Sequence, residues 1–255
     1  MILAARSLGE GAPVALLHGL FGSARNLGNV HRALAARFQV IAIDLRNHGD
    51  SPHAATMDYP AMAADVLETL RAQDALPAAV MGHSMGGKVA MRLALHDPDA
   101  VSRLAVADIA PVPYPSHFGG YVEAMRSVPP ESSRTAADAA LAPAIDDPRI
   151  RGFLLHNWRP GVGWRIGLDA IGACLPRIEA WDMLDEAPYA GPALFIAGAK
   201  SSYILPEHRP VIRAQFPAAR FATIKDAGHW LHAEQPAAFI ETLDAFFAAG
   251  QHPGG

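Results

Sequence analysis

Short apolar runs alternate with amphipathic stretches along the first 110 residues. Helices are expected over 26–37, over 60–73 and after Ser84, where apolar residues recur at helical spacing. The apolar runs between them have strand length and lie at 14–17, 40–43, 78–81 and 104–107. This alternation predicts an α/β fold in which a mostly parallel sheet carries helices on both faces.

The alternation stops after Asp108 and resumes near residue 192. A proline-rich exit at 110–115 leads into a segment of expected helices and loops that reaches about Glu186. Those helices are predicted at 121–128, 132–141, 148–156 and 168–174. After the segment, strands are predicted at 192–198 and 221–224, and helices at 206–216 and from Gln235 onward. We therefore predict a core from residues 1–112 and 188–250, a helical cap at 113–187 and a flexible tail at 251–255.

The composition is that of a globular protein rather than a nucleic-acid or membrane protein. The 255 residues suffice for one large α/β domain with an insertion, and 51% of them are hydrophobic. A net charge of −4 with scattered basic residues gives no reason to expect nucleic acid as a partner. The single cysteine, Cys174, excludes an internal disulfide, and no metal or cofactor is predicted. Without a signal peptide or membrane-length apolar run, we expect a cytoplasmic monomer or homodimer.

The strongest candidate nucleophile is Ser84, which stands in the sequence Gly82-His83-Ser84-Met85-Gly86. This pattern, G-x-S-x-G, forms a sharp strand-to-helix turn that exposes a serine hydroxyl. Apolar residues precede it and small residues follow it, as a tight approach of helix to strand requires. The alternative is a buried serine in a glycine-rich turn.

A serine hydroxyl needs a base within hydrogen-bond reach, and the base needs an orienting acid. His229, after Gly228 in the loop that follows the last predicted strand, is the candidate base. The loop at 198–203 lacks a carboxylate, whereas Asp108 ends a predicted strand and is our choice of acid. Asp226 is the rival acid. We expect His83 to point away from the reacting centre, and His232 to be a surface or supporting residue.

The oxyanion of the tetrahedral intermediate needs backbone N–H donors. We assign them to Met85, which follows the nucleophile, and to Leu20, with Phe21 as the second choice in that loop. His18 is expected to brace the loop. Asp44 is expected to form a structural network with Arg46 and His48.

These motifs together resemble the α/β-hydrolase superfamily over essentially the full chain. They are His-Gly at 18–19, Asp-Leu-Arg-Asn-His-Gly-x-Ser at 44–51, Gly-His-Ser-Met-Gly-Gly at 82–87 and Gly-His-Trp at 228–230. The chain looks most similar to a subgroup of small bacterial acyl esterases and thioesterases. The resemblance implies hydrolysis of short-to-medium acyl esters or acyl-CoA thioesters, with the acid at Asp108 and with Ser201 joining the site.

The predicted function is therefore that of a serine carboxylic ester hydrolase acting through an acyl-enzyme. Candidate wall residues for the substrate pocket are Phe21, Phe118, Trp158 and Trp181. Ser84 argues against haloalkane dehalogenases and epoxide hydrolases, which need an aspartate there. Carbon–carbon bond hydrolases, lactonases and cofactor-free haloperoxidases remain open alternatives, as does a ligand receptor built on a hydrolase scaffold.

Overall fold

A central sheet organises the protein. The computed structural model describes residues 1–116, 118–182 and 186–249. Within these residues, seven strands form the sheet in the spatial order β1-β3-β2-β4-β5-β8-β9. The strands are β1 (Ala5–Leu8), β2 (Pro13–Leu17), β3 (Gln39–Ile43), β4 (Ala78–His83), β5 (Val101–Ala107), β8 (Ala193–Gly198) and β9 (Ala219–Ile224). All neighbouring pairs are parallel except the antiparallel pair β1–β3.

Helices cover both faces of the sheet. Alternate residues of a strand point to opposite faces, and two separate apolar cores form there. Side chains of α1 (Gly28–Leu34) and α10 (Pro236–Ala248) belong to one core. Side chains of α2 (Tyr59–Ala72), α3 (Met85–His96) and α8 (Arg209–Gln215) belong to the other. The predicted fold class is confirmed.

The segment between β5 and β8 is mainly helical. In its described part lie α4 (Gly119–Arg126), α5 (Arg134–Leu141), α6 (Pro148–Leu154) and α7 (Leu168–Glu179). An antiparallel hairpin of β6 (Trp158–Arg159) and β7 (Gly163–Trp164) interrupts them. The boundaries of a cap at 113 and 187 stay a prediction, and the tail at 251–255 lies outside the described residues.

Several elements differ from the sequence-based expectation. Strand β1 was not predicted, because all of its residues are at least partly exposed and it therefore lacks a buried apolar pattern. The hairpin was missed because two-residue strands are too short to show periodicity. The first helix ends at Leu34 instead of residue 37, and it is preceded by a 3-10 turn, Ala24–Leu27. A short helix, α9 (Leu231–Glu234), precedes α10.

No helix in the described ranges has both the length and the apolar composition that crossing a bilayer requires.

The turn between β4 and α3 depends on very close backbone contacts. A Cβ atom at Gly82 would lie 2.0 Å from the carbonyl oxygen of Gly86. A Cβ atom at Gly86 would lie 2.5 Å from the carbonyl oxygen of His18. Only glycine allows helix, strand and neighbouring loop to approach this closely.

We expect Gly82→Ala to lower the free energy of unfolding by about 3 kcal/mol, because the added methyl group must displace backbone. Gly152→Ala is the matched control, since a Cβ atom there meets nothing within 4 Å in helix α6. Alanine should stabilise that helix by about 0.5–1 kcal/mol. Urea unfolding measures both changes, and equal stability of the two variants would contradict the close-contact argument.

Candidate active site

Ser84 sits on a strained turn between β4 and α3. Its backbone adopts φ 54° and ψ −123°, a conformation that is rare for a residue with a side chain. Hydrogen bonds hold it there: Ser84 N–H donates to Ala107 O at 2.9 Å, and Gly87 N–H donates to Ser84 O at 2.8 Å. The backbone is therefore fixed while the side chain remains partly exposed. This is the geometry expected of a nucleophile turn.

The structure brings Ser84, His229 and Asp108 into one hydrogen-bonded chain. His229 Nε2 lies 3.1 Å from Ser84 Oγ, and His229 Nδ1 lies 2.8 Å from Asp108 Oδ2. His229 comes from the loop between β9 and α9, and Asp108 directly follows β5. The three side chains thus meet at the carboxyl ends of the parallel strands, where sites of α/β sheets form.

Asp108 is held from several sides. Its side chain is fully buried, and Oδ1 accepts the Gly198 N–H at 3.1 Å. Ser201 Oγ donates to Asp108 Oδ2, the same oxygen that His229 contacts. The rival acid, Asp226, instead lies in an exposed ion pair with Lys200 at 3.4 Å. The structure therefore places Asp108, and not Asp226, against the imidazole.

Two backbone N–H groups stand free beside Ser84. Among the described residues, no acceptor pairs with the N–H of Leu20 or of Met85. Met85 begins helix α3, and the Leu20 loop is close, since a Cβ atom at Gly19 would lie 3.2 Å from Ser84 Cβ. Phe21 N–H, our second choice of donor, donates to His48 Nε2 at 3.1 Å and is therefore occupied.

Two buried histidines brace the loop after β2. His18 Nε2 accepts the Leu45 N–H at 2.9 Å, and its Nδ1 bonds Gly19 O at 2.8 Å. His48 Nδ1 bonds Arg46 O at 2.9 Å. Burial lowers the pKa of His18 to about 4 and the pKa of His48 to about 3. Both rings are therefore neutral near pH 7, and one nitrogen of each can accept a backbone N–H.

The network predicted around Asp44 is partly wrong. Asp44 accepts two backbone N–H groups, from Ala24 at 2.7 Å and from Asp50 at 2.9 Å. Arg46 turns away and forms a buried ion pair with Asp65 at 2.6 Å. The error arose because neighbours in sequence on a turn need not share one hydrogen-bond network.

A cluster of aromatic rings supports His229. His83 packs against His229 with ring centroids 4.8 Å apart, and its Nε2 bonds His229 O at 2.8 Å. His232 packs on His83 at 4.7 Å and is buried, so a surface position for it is wrong. Burial lowers the pKa of His83 well below its usual value and that of His232 to about 4. Tyr203 stacks on the His229 ring at 4.1 Å.

An apolar cavity of about 220 Å³ opens onto Ser84 and His229. Two of the candidate wall residues, Phe21 and Phe118, line it with ring centroids 6.0 Å apart. Its other Tyr, Phe and Trp walls, missed from the sequence, are Tyr121, Phe153, Tyr203 and Trp230.

The other two candidate wall residues, Trp158 and Trp181, are not among the residues that line this cavity. Trp158 packs on Trp164 at 4.9 Å, and its indole N–H bonds Ser132 O. Trp181 lies under the Arg92 guanidinium at 4.6 Å, and its indole N–H bonds Gln215. Trp158 therefore packs within the inserted segment, whereas Trp181 joins that segment to α3 and α8 of the core.

Within the described part of the chain, no group of three or more His, Cys, Asp or Glu side chains could hold a metal ion.

A serine, a histidine and an aspartate linked at the strand ends of an α/β sheet are the arrangement of serine hydrolases. The chain belongs to the alpha/beta hydrolase family, whose sequence model it matches over residues 14–242. It is 40% identical over 248 residues to the mouse (Mus musculus) sn-1-specific diacylglycerol lipase ABHD11, covering 92% of this chain and 80% of that protein. It is 38% identical over 235 residues to esterase YbfF of Escherichia coli (strain K12), covering 91% of each chain.

A solved structure described as a marine microorganism esterase has the same architecture. It superposes with a TM-score of 0.92 at 39% sequence identity, covering 96% of this chain and 99% of that one. The predicted family and class are confirmed: the protein is an ester hydrolase of the alpha/beta hydrolase family.

The buried neutral histidines make stability depend on pH. In the unfolded chain a histidine binds a proton near pH 6.5, whereas folded His18, His48 and His232 do so only near pH 3–4. Below about pH 6.5 the unfolded chain therefore binds more protons, and the free energy of unfolding falls. Each histidine contributes up to about 1.4 kcal/mol per pH unit until its folded pKa is reached, and nothing above pH 6.5.

Urea unfolding between pH 7.5 and pH 5 measures this slope. His48→Gln should make the slope shallower, and His156→Gln, at an exposed position, should leave it unchanged. A free energy of unfolding that stays constant between pH 7 and pH 5 would contradict the assignment of neutral histidines.

Proposed function

We propose that the enzyme cleaves carboxylic esters through an acyl-enzyme on Ser84. The observation that supports this most directly is the chain of hydrogen bonds from Ser84 Oγ through His229 to Asp108. Asp108 accepts the Nδ1–H of His229, which leaves Nε2 as the acceptor for the serine proton. His229 then acts as the general base and Asp108 as the residue that orients it.

The reaction proceeds in two steps. Ser84 Oγ attacks the ester carbonyl while His229 takes its proton, and the same proton passes to the departing alcohol. The free N–H groups of Leu20 and Met85 stabilise the oxyanion of the tetrahedral intermediate. Water, activated by His229, then releases the acyl group from Ser84.

The apolar cavity suggests the kind of substrate. Its walls at Phe21, Phe118 and Phe153 favour an apolar chain, and its size favours short-to-medium acyl groups. Relatives are named as a diacylglycerol lipase and as esterases, which supports oxygen esters as substrates. Acyl-CoA thioesters remain a second chemical option for the same mechanism. A cytoplasmic location and a monomeric or homodimeric state stay predictions.

The first test is steady-state hydrolysis of p-nitrophenyl esters from acetate to decanoate. We expect turnover that peaks at short or medium chains and that falls by about 10⁵–10⁶-fold in Ser84→Ala, because the nucleophile is lost. Ser202→Ala should keep wild-type turnover and serves as the control. Turnover retained in folded Ser84→Ala would overturn the proposal. A folded wild type inactive on every ester would favour a carbon–carbon hydrolase, a lactonase, a haloperoxidase or a receptor.

Ser201 is proposed as a positioning residue. Its hydroxyl donates to the Asp108 oxygen that also accepts from His229, so it fixes the carboxylate and shares its charge. We expect Ser201→Ala to lower kcat up to about tenfold, the value of one hydrogen bond. The pH–rate profile should also change, because the carboxylate that orients the imidazole loses one of its hydrogen-bond donors. Unchanged turnover and an unchanged profile would remove Ser201 from the site.

A further inference from the structure

A second, smaller cavity also opens onto the nucleophile. Its volume is about 30 Å³, and it shares four lining residues with the large apolar cavity: Leu20, Ser84, Phe118 and Tyr203. Unlike the large cavity, it includes two oppositely charged side chains in its lining, Lys88 and Glu179. One water molecule needs about 10–15 Å³ of such free volume. The cavity therefore admits a group of two or three heavy atoms.

Lys88 is held as a buried hydrogen-bond donor. It lies one helical turn after Ser84 on α3, and only 1% of it is exposed. Its Nζ donates to Ala180 O at 2.8 Å and to Glu179 O at 3.3 Å. An ammonium group has three N–H donors, and the third has no hydrogen-bond acceptor among the described residues, where Nζ lies 5.0 Å from the ring centroid of Tyr114 and 5.5 Å from that of Tyr59. Burial lowers the pKa of Lys88 to about 7, so the third N–H is present on the protonated form that prevails below that pH.

Glu179 supplies an unpaired acceptor. It is the last residue of α7, only 8% of it is exposed, and its Oε1 is buried without a hydrogen-bond partner in the described part of the chain. Among the described residues, Lys88 Nζ contacts the main-chain oxygen of Glu179 rather than its carboxylate. A buried unpaired oxygen costs about 1–3 kcal/mol, so a ligand that satisfies it binds favourably.

Two of the three tyrosines that line this cavity, Tyr59 and Tyr114, already donate their hydroxyl hydrogens to protein oxygens. Tyr59 donates its hydroxyl hydrogen to Ile178 O. The Tyr114 hydroxyl accepts the Ala110 N–H at 2.9 Å and donates to Tyr203 O at 2.5 Å. Apart from the free N–H groups of Leu20 and Met85, which face the oxyanion, and the hydroxyl of Tyr203, the open polar groups of this lining are one N–H of Lys88 and one oxygen of Glu179.

A hydroxyl group satisfies both. It accepts from Lys88 and donates to Glu179, and with one or two carbons it fits the volume. A carboxylate or phosphate would be repelled by Glu179, an amine would be repelled by Lys88, and an alkyl group would leave both unpaired. We propose that this cavity is a hydroxyl-binding subsite, so that the enzyme prefers esters that carry a hydroxyl a few bonds from the scissile carbonyl. The proposal rests on ester hydrolysis at Ser84.

Two isosteric ester pairs distinguish the source of the hydroxyl. In the alcohol arm, 2-hydroxyethyl octanoate is compared with propyl octanoate. In the acyl arm, phenyl 3-hydroxypropanoate is compared with phenyl butanoate. Each pair exchanges one hydroxyl for one methyl group, so the ratio of kcat/KM within a pair reports the subsite alone. We expect the hydroxylated ester to be preferred by about 10- to 100-fold in one arm, the range for a hydrogen bond to a charged group.

Variants then assign that preference to the two side chains. Glu179→Met and Lys88→Met should each reduce the preference to below about threefold, and Glu179→Gln should keep an intermediate value. Glu131→Met, at an exposed position of the same inserted segment, should keep the full preference. Circular dichroism and thermal unfolding check folding. If Lys88→Met does not fold, the two Glu179 variants decide, because a ratio within one variant is independent of its overall activity.

The outcomes separate this proposal from the proposed function. Equal rates within both pairs, or a preference that Glu179→Met leaves intact, would overturn the subsite while ester hydrolysis stands. Failure of the wild type to hydrolyse any of the four esters would overturn both.

Discussion

The site depends on one constraint, the close backbone contact between Gly82 at the end of β4 and Gly86 at the start of α3. Because Gly82 and Gly86 have no Cβ atoms, helix α3 starts directly above the strand and Ser84 is forced into a left-handed conformation. The loop carrying Leu20 also approaches Ser84 across Gly86 and Gly19. The nucleophile and both proposed oxyanion donors are thus positioned by main chain, whose geometry costs no side-chain entropy to maintain.

Around this turn, a row of hydrogen-bonded polar side chains lies beside an apolar cavity. The carboxylate of Asp108 is removed from solvent and bonded by Gly198, Ser201 and His229, so the imidazole has one orientation. Tyr203 and His83 contact the ring of His229 and restrict its movement further. Neutral histidines rather than charged ones fill the space behind it, which avoids placing a buried positive charge beside the imidazolium formed during reaction.

The parts of the structure predicted from sequence were those encoded locally. The parallel strands and the turn at Ser84 follow from apolar runs and small residues, and Asp108 and His229 follow from their positions after strands. Strand β1 could not be predicted, because its pairing partner β3 lies more than 30 residues away and its own pattern is polar. The roles of Trp158 and Trp181 were missed because a large side chain can serve an internal core or a pocket wall equally well, and only the packing of the inserted helices decides between them.

Fluorophosphonate labelling followed by peptide mass spectrometry tests most directly whether an activated serine lies at the centre of this site. An organophosphonate reacts with a serine whose proton is removed by a neighbouring base. We predict one adduct per chain, on Ser84, with labelling strongly slowed in His229→Ala and in Asp108→Asn. A folded wild-type enzyme that stays unlabelled, or that carries its adduct on another residue, would contradict this account of the site.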